Sequence, residues 1–172
     1  MTLIDTSKLE KDKTYICLEI GCGIAARFIQ KLEHKICKDI PVEQLASHAF
    51  AIAHDGTDFY VYENHLCWKG VRKYTIDEYN KNNKNPILII PYELDINRLE
   101  YYVNFNPGYS CIQLAEDTAE RLIGIKIPNT SGMVCSEYVA ACFKSFDLCY
   151  KVKQPFMFIT PMDLQTLANL SS

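Results

Sequence analysis

The sequence predicts a single α+β domain over residues 1–172. Three observations indicate this fold class. An Asp55-Gly56 pair separates two runs of alternating polarity, a continuous apolar run of strand length covers 86–92, and residues 110–123 show helical periodicity. A chain of 172 residues that is 48% hydrophobic is long enough to bury one sizeable core but short for two domains.

Composition narrows the class of protein. The formal net charge is -3, and the lysines do not form a basic stripe with aromatic residues, which argues against a nucleic-acid partner. Eight cysteines fall mostly within apolar helix or strand patterns, as reduced core cysteines do. Residues 1–13 contain no apolar signal-peptide core, and no apolar run approaches the roughly 18 residues that span a bilayer. We therefore expect a cytoplasmic protein, with release by lysis or another signal-less route left open.

The chain begins with a predicted strand over 14–20, a Gly21-Cys22-Gly23 turn and a helix over 24–34. The apolar residues that recur at helical spacing in this helix are Ile24, Phe28 and Leu32. The turn lacks the third glycine of a dinucleotide-binding loop, so we expect no cofactor there.

The Asp55-Gly56 pair is a strong hairpin signal. If these two residues form the loop, His48 lies directly opposite Glu63, with Cβ atoms roughly 4.5 to 5.5 Å apart. The other face then sets Ala51 against Tyr60 and Ala49 against Tyr62. A four-residue loop is the alternative. It places His48 opposite His65 and leaves Glu63 as a diagonal neighbour on the same face.

The second half of the chain alternates short strands and helices. Thr75 with Glu78 forms a capping box, Asp95 and Thr160 are predicted helix caps, and Pro161 suits a first helical position. In order, the predicted elements are a strand at 71–74, a helix from 76 to about 82, a central buried strand at 86–92, helices at 96–103, 110–123 and 133–146, a strand at 156–159 and a final helix from 161.

Cys135 is the cysteine that stands at a predicted helix start. Unpaired N–H groups at a helix N-terminus favour the thiolate, which is the nucleophilic form of cysteine. The alternative is that Cys135 belongs to a buried stripe with Cys142. His48 would serve as the base, and Glu63 would orient its imidazole.

The order histidine, glutamate, cysteine differs from that of ordinary papain-like enzymes. With the segments 47–52, 61–63 and 134–138, it resembles the circularly permuted NlpC-type papain-like amidases of the YiiX/YebB group, which also has poxvirus relatives. Segments 115–125 and 160–164 are similar to the family's helix before the cysteine and its closing segment. The resemblance implies a permuted papain-like fold, in which an antiparallel sheet bears His48 and Glu63 and the Cys135 helix packs against it.

The predicted function is a cysteine hydrolase with a Cys135, His48 and Glu63 triad. It would cleave an amide or ester in a peptide, peptidoglycan fragment or lipid through a thioester, without a metal or cofactor. Three alternatives stay open. The same triad suits a thiol acyltransferase or lipid-ester hydrolase, the fold suits a catalytically silent binding module, and four residues could ligate a metal. Those four are Cys17, Cys22, His34 and Cys37.

Overall fold

A computed structural model describes residues 3–35, 38–65, 70–109, 132–145 and 159–170. Over these ranges the fold is α+β, with a five-stranded antiparallel sheet and helices on both of its faces. The strands are β1 (Tyr15–Glu19), β2 (His48–His54), β3 (Phe59–His65), β4 (Gly70–Thr75) and β5 (Ile87–Pro91). The helices are α1 (Ile24–His34), α2 (Ile76–Asn82), α3 (Ile96–Phe105), α4 (Cys135–Ala141) and α5 (Pro161–Leu170).

The helix starts follow the capping residues read from the sequence. Thr75 and Asp95 accept backbone N–H bonds at the starts of α2 and α3, and Thr160 Oγ1 accepts from Asp163 N at 3.4 Å before α5. The helix predicted to run to residue 146 is shorter than expected, because α4 ends at Ala141. The predicted helix over 110–123 and most of the predicted strand over 156–159 lie outside the described residues.

The prediction that residues 86–92 form a central strand is wrong. Strand order in the described sheet is β4-β3-β2-β1-β5, so β5 pairs with β1 alone and lies at an edge. The run contains Pro86 and Pro91, which have no N–H to donate. Proline is therefore found in edge strands and not in strands with a hydrogen-bonded neighbour on each side. Leu88 is accordingly 40% exposed.

The two faces of the sheet carry different cores. On one face, α4 packs against β2 and β3, and the small side chains of Ala49, Ala51 and Ala53 let the helix come close to the strand. On the other face, α2 and the N-terminal segment cover a second core that includes Phe50, Ile52 and further apolar residues. The strand that begins at His48 therefore lies between the two cores.

The turn between β2 and β3 has four residues and not the two first predicted. His54 pairs with Phe59, so the loop is 55–58 and the register shifts by two residues. Ala51 consequently lies opposite Tyr62 and not Tyr60. The small-against-large match is kept by Ala51 with Tyr62 and Ala53 with Tyr60, and the four-residue alternative is correct.

Helix α1 buries polar residues on its inner side. Gln30 and Glu33 are each 1% exposed, whereas Ile24 and Phe28 of the predicted apolar face are exposed. The Gln30 amide donates to the carbonyls of Gly21 (3.2 Å) and Leu45 (2.8 Å). Burial raises the pKa of Glu33 to about 8, although hydrogen bonds from Met162 N–H and Thr160 oppose the shift. The Glu33 side chain, on the buried side of α1, is therefore mainly protonated and uncharged at neutral pH.

Gly70 opens β4 with φ +152°, and a Cβ there would come within 1.8 Å of Asn106 Oδ1. That oxygen accepts a hydrogen bond from Val71 N (2.9 Å), which a displaced Asn106 would lose. We expect Gly70→Ala to lower the free energy of unfolding by about 2–4 kcal/mol, measured by urea denaturation. Gly56→Ala is the matched control, since Gly56 has φ +102° but open space at its Cβ. It should cost only about 1 kcal/mol. Equal losses in the two variants would contradict this account.

The raised pKa of Glu33 predicts a pH-dependent stability. The unfolded chain releases the Glu33 proton near its ordinary pKa of 4.5, and the folded chain near 8. The contribution of Glu33 is therefore fully present below pH 4.5 and declines as the pH rises toward 8. Glu33→Gln should remove this decline, so that its stability relative to the unmodified protein improves by on the order of 1–3 kcal/mol between about pH 5 and pH 8. Urea unfolding at several pH values measures the difference, and a constant difference would show that Glu33 titrates normally.

Candidate active site

His48 and Glu63 are joined across the β2–β3 hairpin. Continuing the observed register places His48 opposite His65, so Glu63 is its diagonal neighbour. The two side chains still meet, with His48 Nε2 2.7 Å from Glu63 Oε1. The side chains are 12% and 6% exposed, respectively. A diagonal pair in a sheet is within reach of long side chains, which is why the contact survives the shift of register.

Cys135 is the first residue of α4, as the sequence predicts, and is 3% exposed. It lies close enough to His48 to raise the pKa of the imidazole. Glu63 contacts Nε2, so Nδ1 is the ring nitrogen that Glu63 does not use. The structure therefore joins His48 to Glu63 and places Cys135 near His48, while their action as a catalytic triad stays a prediction.

The electrostatics of the cluster favour a charged imidazole. Burial by itself lowers the pKa of His48, but the neighbouring Cys135 and Glu63 outweigh burial and raise that pKa well above its ordinary value. For the acid Glu63, burial acts in the opposite direction and raises the pKa, but hydrogen bonds from His48 and Tyr74 lower it to about 2. The carboxylate is thus ionised throughout the neutral range and can hold a protonated His48.

Tyr74 and Arg72 of β4 form a second layer around Glu63. The Tyr74 hydroxyl donates to Glu63 Oε2, the oxygen that His48 does not use. The Arg72 guanidinium lies 3.9 Å from the centre of the Tyr74 ring, and its Nε is 3.9 Å from the same Oε2. The sequence analysis did not identify these two residues. The feature that could have identified them is the alternation of side chains along β4. It sets Arg72 opposite Glu63 and puts Tyr74 on the same face.

His65 is a further residue of the site, which the two-residue loop would not have placed opposite His48. Its ring meets the edge of the His48 ring, with centroids 5.2 Å apart. Burial, followed by the charge of His48, lowers the pKa of His65. A neutral His65 therefore lies beside a charged His48, which limits the ways in which the His48 ring can turn.

Two hydrogen bonds fix the chain that enters α4. Asn64, which follows Glu63 on β3, donates through Nδ2 to the carbonyl of Met133 (2.9 Å). Glu137 accepts the N–H of Val134 through Oε2 (2.9 Å), which is the reverse half of a capping box. The strand that bears Glu63 is thereby tied directly to the segment that presents Cys135.

Helix α1 closes another side of the cluster. The buried carboxyl of Glu33 lies close enough to Cys135 for their charges to interact. The Gly21-Cys22-Gly23 turn precedes this helix, and a Cβ on Gly21 would come within 2.9 Å of Ser47 Oγ. Gly21 also donates its N–H to that oxygen at 3.0 Å. The glycine therefore allows close packing next to His48.

The cysteines of the alternative metal site differ in their burial and position. Cys17 is buried within β1, Cys22 is exposed, and Cys37 lies outside the described residues. Within the parts of the chain that the structure describes, no group of three or more cysteine, histidine or acidic side chains is arranged to hold a metal ion. Over the same ranges no helix is long and apolar enough to cross a membrane.

Comparison with known proteins leaves the family open. No protein-family model matches this sequence, and a search of curated proteins finds no match to it. The resemblance to permuted NlpC-type amidases stays a prediction that depends on the site motifs.

Proposed function

We propose that the protein is a cysteine hydrolase that cleaves an amide or ester bond through a thioester on Cys135. The observation that carries the proposal is the 2.7 Å contact of His48 with Glu63 on one hairpin, with Cys135, from a distant part of the chain, close enough to raise the pKa of His48. The nucleophile stands at a helix start, its base is buried beside it, and the base is oriented by an ionised acid.

The reaction uses the two ring nitrogens of His48 differently. In the resting ion pair the proton of the Cys135 thiol is already on Nδ1 of His48, and the thiolate attacks the substrate carbonyl carbon to form a tetrahedral oxyanion. Collapse breaks the bond to the leaving nitrogen or oxygen, which takes the proton from His48. Water then loses a proton to His48 and attacks the thioester, and cleavage of the carbon–sulfur bond restores the cysteine.

Glu63 acts throughout as the orienting acid. Its hydrogen bond to Nε2 keeps Nδ1 directed at the sulfur and stabilises the imidazolium formed at each step. The N–H of Cys135 itself is the proposed donor to the oxyanion, because the preceding N–H of Val134 is already engaged by Glu137. Cys135 is 3% exposed, so the chain around it must open to admit a carbonyl group.

The proposal extends to the permuted papain-like fold. The chain order of His48, Glu63 and Cys135 supports it, as does the packing of the cysteine helix on the strands that bear the other two residues. A thiol acyltransferase is the second reading of the same site, since a lipid or amine acceptor can replace water in resolving the thioester.

An activated ester tests the nucleophile directly. With a p-nitrophenyl ester, the protein should release a burst of nitrophenol, and mass spectrometry should locate the acyl group on Cys135. Cys135→Ala should abolish the burst, and His48→Ala should slow acylation by roughly 10²–10⁴-fold.

Cys142→Ala is the matched control, since Cys142 follows the same helix and is also buried. That variant should keep the burst. Acylation that falls on the exposed Cys22, or that continues unchanged without His48, would overturn the proposal. Addition of an alcohol or amine acceptor then separates hydrolysis from acyl transfer.

Tyr74→Phe tests the layer behind Glu63. The variant keeps the ring beneath Arg72 but removes the hydroxyl that donates to Glu63. We expect acylation to slow roughly three- to tenfold. Loss of this donor raises the Glu63 pKa from about 2, so the loss of activity that follows protonation of Glu63 at low pH should begin at a higher pH than in the unmodified protein.

Tyr79→Phe provides the comparison, because the Tyr79 hydroxyl donates to Glu19 (2.9 Å) and belongs to the same aromatic cluster. Its pH profile should stay unchanged. A common shift in both variants would mean that Tyr74 acts only through packing.

A further inference from the structure

Helix α1 presents an apolar ridge to solvent. Ile24 is 94% exposed and Phe28 is 59% exposed, although both are large hydrophobic residues. They lie four residues apart, so they project from neighbouring turns on one side of the helix. An exposed ridge of this kind marks a binding surface more often than isolated apolar side chains do.

The exposed charges of this helix are all positive. Arg27 and Lys31 of α1 and Lys35 directly after it are exposed, whereas Glu33 is the acid within the helix and is buried. The chain as a whole carries a formal net charge of -3. Basic side chains thus flank the apolar ridge on the surface of a protein that is acidic overall.

The buried side of α1 borders the candidate active site. Gln30 holds the carbonyls of Gly21 and Leu45, which lie just after β1 and shortly before β2. Glu33 accepts from Met162 N (3.4 Å) and interacts electrostatically with Cys135. Whatever binds the outer side of α1 is therefore separated by one helix diameter, roughly 10 Å, from the buried side of the helix that faces Cys135.

We propose that α1 docks this protein onto an anionic lipid bilayer. Ile24 and Phe28 would enter the boundary between headgroups and acyl chains, while Arg27, Lys31 and Lys35 contact the lipid phosphates and carboxylates. Two side chains expose together on the order of 300 Å², which is below the roughly 500 Å² per partner that a stable protein interface requires. Shallow insertion into a bilayer needs no larger patch.

Docking gives the active site a class of substrate. The thiol would act on an ester or amide carbonyl held at the lipid surface, in a lipid or in a lipid-attached chain. This consequence rests on the proposed cysteine chemistry, whereas the docking itself does not require it.

Vesicle sedimentation tests the docking. We expect Cys135→Ser protein to bind vesicles of phosphatidylcholine containing about 30% phosphatidylserine, and to bind pure phosphatidylcholine much more weakly. The double change Ile24→Ser and Phe28→Ser should weaken binding by roughly tenfold or more, and Lys31→Glu by roughly fivefold or more.

Phe105→Ser is the matched control. Phe105 is 61% exposed on α3 and stacks on Tyr101, and the charged residues of α3 are one arginine and one glutamate instead of a basic cluster. Its loss should leave binding unchanged, and circular dichroism with urea unfolding verifies that each variant is folded.

Three results would overturn the proposal: equal binding to neutral and anionic vesicles, equal loss of binding in Phe105→Ser, or a shift from dimer to monomer in the α1 variants without an effect on vesicles. Acylation of Cys135 by a soluble p-nitrophenyl ester is measured in parallel on a Cys135-containing pair with and without the α1 changes. Loss of vesicle binding with intact acylation separates a failure of docking from a failure of the proposed function.

Discussion

The hydrogen bond from His48 to Glu63 is the contact on which the organisation of the site depends. It joins two residues on the same face of the hairpin, so it exists only in registers of β2 and β3 that keep His48 and Glu63 on that face. A slip of one residue would move Glu63 to the opposite face of the sheet, beneath α4, where an ionised carboxylate would meet the alanine-lined core. Tyr74 and Arg72 reach Glu63 by the same register between β3 and β4. The positions of these side chains are thus determined by strand pairing and not by the conformation of a loop.

The register itself is set by Asp55 in the turn. Its Oδ1 accepts from Thr57 N (2.9 Å) and Asp58 N (3.2 Å), and its Oδ2 is 2.8 Å from Lys73 Nζ. Hydrogen bonds from Lys73 and Thr57 hold the pKa of Asp55 well below its usual range. A two-residue loop would bring the strands together at Thr57 and leave these backbone donors without the side-chain acceptor. The aspartate therefore favours the longer turn, even though Asp-Gly by itself suggests the shorter one.

This turn shows how much of the molecule a sequence can predict. Local signals were reliable: the caps at Thr75 and Asp95, the start of α4 at Cys135, and the identity of the His48–Glu63 pair. Signals that depend on the surroundings were not. Periodicity located α1 but did not tell which side is buried, and the apolar run before Pro91 did not reveal that its strand has a neighbour on one side only. Residues such as Tyr74 enter the site through pairing partners that no local pattern specifies.

The unusual orientation of α1 follows from what it covers. The chain next to His48 presents the carbonyls of Gly21 and Leu45, and the start of α5 presents the N–H of Met162. Buried polar backbone groups must find partners, and an apolar helix face could not supply them. Gln30 and Glu33 do so, and the apolar side chains of the same helix are consequently turned to solvent. The buried backbone groups that need polar partners thus explain why the apolar side of α1 is exposed. This exposed ridge is available for binding.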